Sequence, residues 1–112
     1  QSNSNTNKPE GAKLKDYLVG MIGRLGYSGY GESYMSGFTR NGGCYTKLNG
    51  KSSSSSYQIT RVNGNLNLKI VTGSYKVIEF RVFYNTMYNS WDFTVRSAEG
   101  NYNLNGTQWT KM

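Results

Sequence analysis

The sequence predicts an α+β domain: an N-terminal amphipathic helix packed on one face of a four- to five-stranded antiparallel meander sheet. Three observations carry that prediction. Residues 9–25 repeat apolar side chains at helical spacing, and the chain after Cys44 alternates apolar with polar residues. Asn-Gly pairs at 41–42, 49–50, 63–64 and 105–106 punctuate the sequence, and Asn-Gly is the strongest short hairpin signal because both turn positions favour φ > 0. A small all-β barrel or sandwich with a peripheral helix is the alternative reading of the same pattern.

Taken in order, residues 1–8 form a polar stretch with nothing to bury and predict a disordered tail, leaving 9–112 as a single small globular domain. The helix is expected over 9–25. Leu14, Leu18, Met21, Ile22 and Leu25 share one stripe, Pro9 suits a first helical position and Gly26 suits the stop. Gly20 and Gly23 weaken it, by about 1 kcal/mol each relative to alanine. In residues 26–43 glycines interleave with Tyr27, Tyr30, Tyr34 and Phe38, which reads as an irregular loop or a twisted strand. The glycine spacing matches no nucleotide-binding fingerprint. The five serines at 52–56 read as a flexible exposed loop.

A two-residue turn at Asn63-Gly64 sets Arg61 opposite Leu66, Ile59 opposite Leu68 and Tyr57 opposite Ile70, which gathers apolar residues on one face. A three-residue loop at 72–74 then places Ile78 against Leu68 and Phe80 against Leu66. On the following strand Val82 meets Phe93, Phe80 meets Val95, Tyr84 meets Trp91, and Glu79 meets Arg96 on the outer face. The predicted core is the helical stripe against Ile59, Leu68, Ile78, Phe80, Val82 and Phe93.

The 112 residues carry 13 Lys and Arg against 6 Asp and Glu, a net charge of +7, with no His and a single Cys. That inventory excludes a Ser–His–Asp triad, a Cys–His dyad, a His-based zinc site and an intrachain disulfide. Glu79 and Asp92 fall on one open sheet face beside Arg81 and Arg96, where they read as solvated charges rather than a catalytic pair. No metal or cofactor site is predicted. Cys44 reads as a buried structural thiol.

Thirteen Asn, thirteen Ser and ten Tyr with only 17% charged residues, together with the Gln1 start, point to an exported protein of the periplasm, cell surface or extracellular space. With no catalytic inventory and surplus aromatics, the expected function is non-enzymatic binding or structure through an aromatic-rich surface patch. The partner would be a protein or a glycan, in inhibitor-like or self-assembling fashion. The nominated contacts are Tyr27, Tyr30, Tyr34 and Phe38, with Tyr75, Arg81 and Phe83 on the sheet. A basic nucleic-acid or polyanion binder is the first alternative, combining cations with stacking tyrosines. An enzyme using carboxylates without His is the second.

Overall fold

The computed structural model describes residues 10–25, 32–99 and 107–112. Among them one helix, α1 (Glu10–Val19), precedes β1 (Met21–Arg24), β2 (Tyr34–Ser36), β3 (Gly43–Leu48), β4 (Lys51–Val62), β5 (Asn65–Val71), β6 (Val77–Asn85), β7 (Ser90–Ala98) and β8 (Gln108–Lys111). The strands form one antiparallel sheet in the order β7-β6-β5-β4-β3-β2-β1-β8. Seven strands follow the chain, and β8 returns to pair with β1, so β7 and β8 are the two edges. The sheet curls until those edges face each other. Phe93 of β7 and Trp109 of β8 stack with ring centroids 4.5 Å apart.

This half-barrel replaces the expected four- to five-stranded sheet under a long helix. The long helix fails at Gly20, because Met21 and Ile22 of the stripe serve strand β1 instead, with Leu25 just beyond it. Gly23 is the reason. It lies in β1 directly beneath the Trp109 ring, where a Cβ would sit 2.9 Å from two ring carbons. A strand brings the backbone that close to a flat aromatic; a helix would interpose side chains. Leu14, Leu18 and Leu25 still enter the core, whereas Ile22 is buried outside that cluster.

The serine run is likewise strand, not loop. Ser52, Ser53, Ser54, Ser55 and Ser56 pair residue for residue with Lys47, Thr46, Tyr45, Cys44 and Gly43 of β3. Pairing with β3 along the whole run, joined at Ser56 by pairing with Val71 of β5, overrides the low strand propensity of serine. The hairpin at Asn63-Gly64 has φ of 52° and 81°, and its register is the expected one, with Ile59 facing Leu68. The next hairpin departs from expectation. Its loop holds residues 72–76, closed by Thr72 N donating to Lys76 O at 2.9 Å, so Leu68 faces Phe80 and Ile70 faces Ile78. Between β6 and β7 Val82 does face Phe93, but a bulge at Glu79/Phe80 sets Glu79 against Ser97 instead of Arg96. Glu79 accepts hydrogen bonds from Asn67 Nδ2 at 2.9 Å and Ser97 Oγ at 3.2 Å.

The core fills the concave side. Leu66, Leu68 and Ile70 of β5, with Ile78, Phe80 and Val82 of β6, meet Leu14 and Leu18 of α1. Ion pairs from Glu10 to Arg61 and from Asp16 to Arg40 hold the helix against the sheet. Cys44, on β3, is 8% exposed, and burial pushes its thiol from 9.0 up to about 11. Between pH 9 and 11 the folded chain therefore keeps a proton that the unfolded chain has lost. Stability present in full below pH 9 is expected to fall as pH rises toward 11, by at most about 1.4 kcal/mol per pH unit from this group. Tyr57 and Tyr17, both raised by burial, add to the same trend at higher pH. Urea unfolding from pH 8 to 11 checks it. Cys44→Ala must flatten the first part of the slope.

Candidate functional site: the aromatic groove at the open seam

The edges of a curled sheet are where inward side chains lose their cover. On β7, Trp91, Phe93 and Val95 point to the concave side and would be core on a central strand, yet all three remain half-buried. Together with Trp109 of β8 and Tyr17 of α1, Trp91 and Phe93 line an open groove of about 600 Å³. The rings are held by one another. Tyr17 lies 6.2 Å from Trp91 and 6.3 Å from Phe93, and Tyr84 supports Trp91 edge-on at 5.0 Å. Phe80 meets Phe93 and Trp109 edge-on at 6.0 and 6.1 Å from below. Such offset and edge-to-face contacts fix ring planes and leave the free face available.

The groove has a polar rim. Thr107 stands beside β8, and the backbone of β7 borders the groove at Ser90, Asp92 and Thr94, whose side chains alternate with the aromatics and turn to the outer face. Trp109 Nε1 is buried with no hydrogen-bond partner among the described residues. Trp91 also borders an adjoining hollow of about 240 Å³ with Tyr84, Glu10 and Lys13, so the aromatic surface continues toward the start of the helix. Asp92 is the one acidic residue at the seam among the described residues, and its side chain shares the outer face with Phe83.

Among the described residues, those nominated from sequence do not converge. Tyr27 and Tyr30 lie outside the described residues. Tyr34, half-buried on β2, faces Lys47, and four positions in the strand order separate β2 from β6. Phe38 lies in the core rather than on the surface, 2% exposed, edge-on to Tyr57 at 5.3 Å and 5.8 Å from Trp109. Arg81 and Phe83 do share the exposed outer face of β6, with Phe83 54% exposed. Tyr75, on the turn before β6, is 85% exposed with φ of 62°.

Sequence reasoning missed Tyr17, Trp91, Phe93 and Trp109. The alternation of Trp91 and Phe93 was visible, but it reads as core until the strand order places β7 at an edge. A sharper signal is that both tryptophans of the chain fall in its last quarter. Among the described residues no helix is long and apolar enough to cross a membrane, and no three His, Cys, Asp or Glu side chains gather as a metal site requires. Comparison of the chain with protein-family models, with curated proteins and with solved structures finds no match.

Proposed function

We propose that this chain is an exported or cell-surface binding protein, not an enzyme, that holds a glycan in the groove between β7 and β8. One observation carries the reading: Tyr17, Trp91, Phe93 and Trp109 pack against the core on one side and line an open groove on the other. Aromatic side chains left half-exposed in a concave, mostly preformed site are the usual lining of ligand pockets. A pyranose ring matches it, because its C–H faces are apolar and its edge is ringed with hydroxyls. The faces lie on the rings, and the edge meets the backbone N–H and C=O groups of edge strand β7 and Thr107 beside β8. The Asn- and Ser-rich, weakly charged composition supports an exported setting.

Both tryptophans of the chain line the groove, so its occupancy reports itself without a label. Titration with cello-, xylo- and chito-oligosaccharides is expected to shift intrinsic emission for at least one series, and Trp91→Ala is expected to weaken that binding at least tenfold. Trp91 packs on Tyr17 and Tyr84, so the variant loses some stability, and an unchanged circular dichroism spectrum at the titration temperature is required before weakened binding is read as loss of contact. Emission unmoved by every sugar, but moved by extended peptides, would assign the groove to a protein partner instead.

A further inference from the structure

Antiparallel topology puts the β3–β4 turn and the β5–β6 turn at the same end of the half-barrel, opposite the β4–β5 turn where Arg61 pairs with Glu10. At that end the concave face changes character. Along β4 the inward positions run from Ile59 and Tyr57, which are apolar, to Ser55 and Ser53. Facing them on β3 is Thr46, 1% exposed, whose Oγ1 lies 2.8 Å from Ser55 Oγ and 3.1 Å from Ser53 Oγ. Hydroxyls buried where neighbouring strands place leucine and isoleucine give up hydrophobic stabilisation, so their presence calls for a reason.

The space they border is a half-open pocket of about 460 Å³, within the range of small-ligand sites. Its floor is Thr46 and Ser53, and its far wall is the 72–76 turn, tied down by Gly73 N donating to Ser53 Oγ at 3.1 Å and Lys76 N donating to Thr72 Oγ1 at 3.1 Å. Lys51 enters from one turn and Lys76 from the other. No acidic side chain lines it among the described residues, and neither lysine has a carboxylate partner there. Two unpaired cations on separate hairpins, above a floor of hydroxyls, form a site for a ligand that is both anionic and rich in hydroxyls.

We infer that this pocket is a second binding site, for a sugar ring bearing an acidic group, with Lys51 and Lys76 on the acid and the Thr72 and Ser74 hydroxyls of the far wall on the ring oxygens, over a floor where Thr46 and Ser53 are held by each other, Ser55 and Gly73 N. It shares no lining residue with the aromatic groove, so it stands whether or not the groove binds glycans.

Titration of the ¹⁵N-labelled chain with sodium glucuronate, glucose and sodium sulfate tests it. Glucuronate is expected to shift the amides of Gly73 and Lys76, with glucose and sulfate each at least tenfold weaker. Lys51→Gln with Lys76→Gln, both at exposed positions, is expected to weaken glucuronate at least tenfold while leaving the remaining spectrum folded. Glucose binding as well as glucuronate would overturn the role of the lysines. Sulfate binding as well would reduce the pocket to an oxyanion site and overturn the sugar. Shifts confined to other residues, no shift at all, or affinity unchanged in the double variant would each overturn the site.

Discussion

Phe80→Ala is expected to cost about 3–5 kcal/mol and to lower the melting midpoint by more than about 12 °C at the usual 4–8 °C per kcal/mol for a domain of this size. Phe80 is 1% exposed at the centre of the concave face, opposite Leu68 on β5 and Val95 on β7. Its ring also props Phe93 and Trp109 edge-on. Truncation removes the transfer energy of a buried ring and leaves a cavity under the two aromatics that face the groove. With total stability on the order of 5–15 kcal/mol, that is a large share. Phe83→Ala is the control. Three residues along the same strand, Phe83 points outward and is 54% exposed, so its loss should stay within about 0.5 kcal/mol. Thermal melts of the two variants read the inner and outer faces of β6 directly. Equal costs would mean that the outer face is covered and that Phe83 is core.

What the sequence made legible was local pairing in the second half of the chain. Asn63-Gly64 fixes its own turn, and the alternation of Leu66, Leu68 and Ile70 fixes which register buries them, so the β4–β5 hairpin follows from residues in hand. The same reasoning slipped by two residues at the next hairpin. Gly73 suggested a tight loop, but Tyr75 takes φ of 62° and lengthens it to five residues. From sequence, the short strand β1 reads as helix, β8 is not resolved, and β2 falls within a segment that reads as either loop or twisted strand. Three or four residues carry too few alternations to declare a period, and Leu14, Leu18, Met21, Ile22 and Leu25 satisfy a helical stripe whether or not the helix continues. The groove was hidden for a further reason. Whether Trp91 and Phe93 are core or binding surface depends on β7 having no neighbour on its far side, which is a property of the whole sheet and of no single segment.

Gly23 joins these two levels, and its replacement should show it. Gly23→Ala is expected to destabilise by about 1–3 kcal/mol, the range for forcing an extra carbon into a packed site. The added Cβ would lie 2.9 Å from two carbons of the Trp109 ring. That ring cannot step aside, being stacked on Phe93 at 4.5 Å and flanked by Phe38 and Phe80. Either β8 lifts from β1 or Trp109 tilts into the groove, and both outcomes alter tryptophan emission and weaken whatever the groove holds. Gly20→Ala, three residues earlier, supplies the contrast. Nothing lies within 4 Å of the place its new methyl group would take, and Gly20 is exposed between α1 and β1. Reduced freedom of the unfolded chain should therefore make that variant neutral or more stable by about 0.4–1 kcal/mol. Opposite signs from the same substitution at two nearby glycines, read by urea unfolding and by emission, would establish that the seam is built on the approach of Trp109 to bare backbone. Two variants of equal stability would place Trp109 elsewhere and dissolve the groove with it.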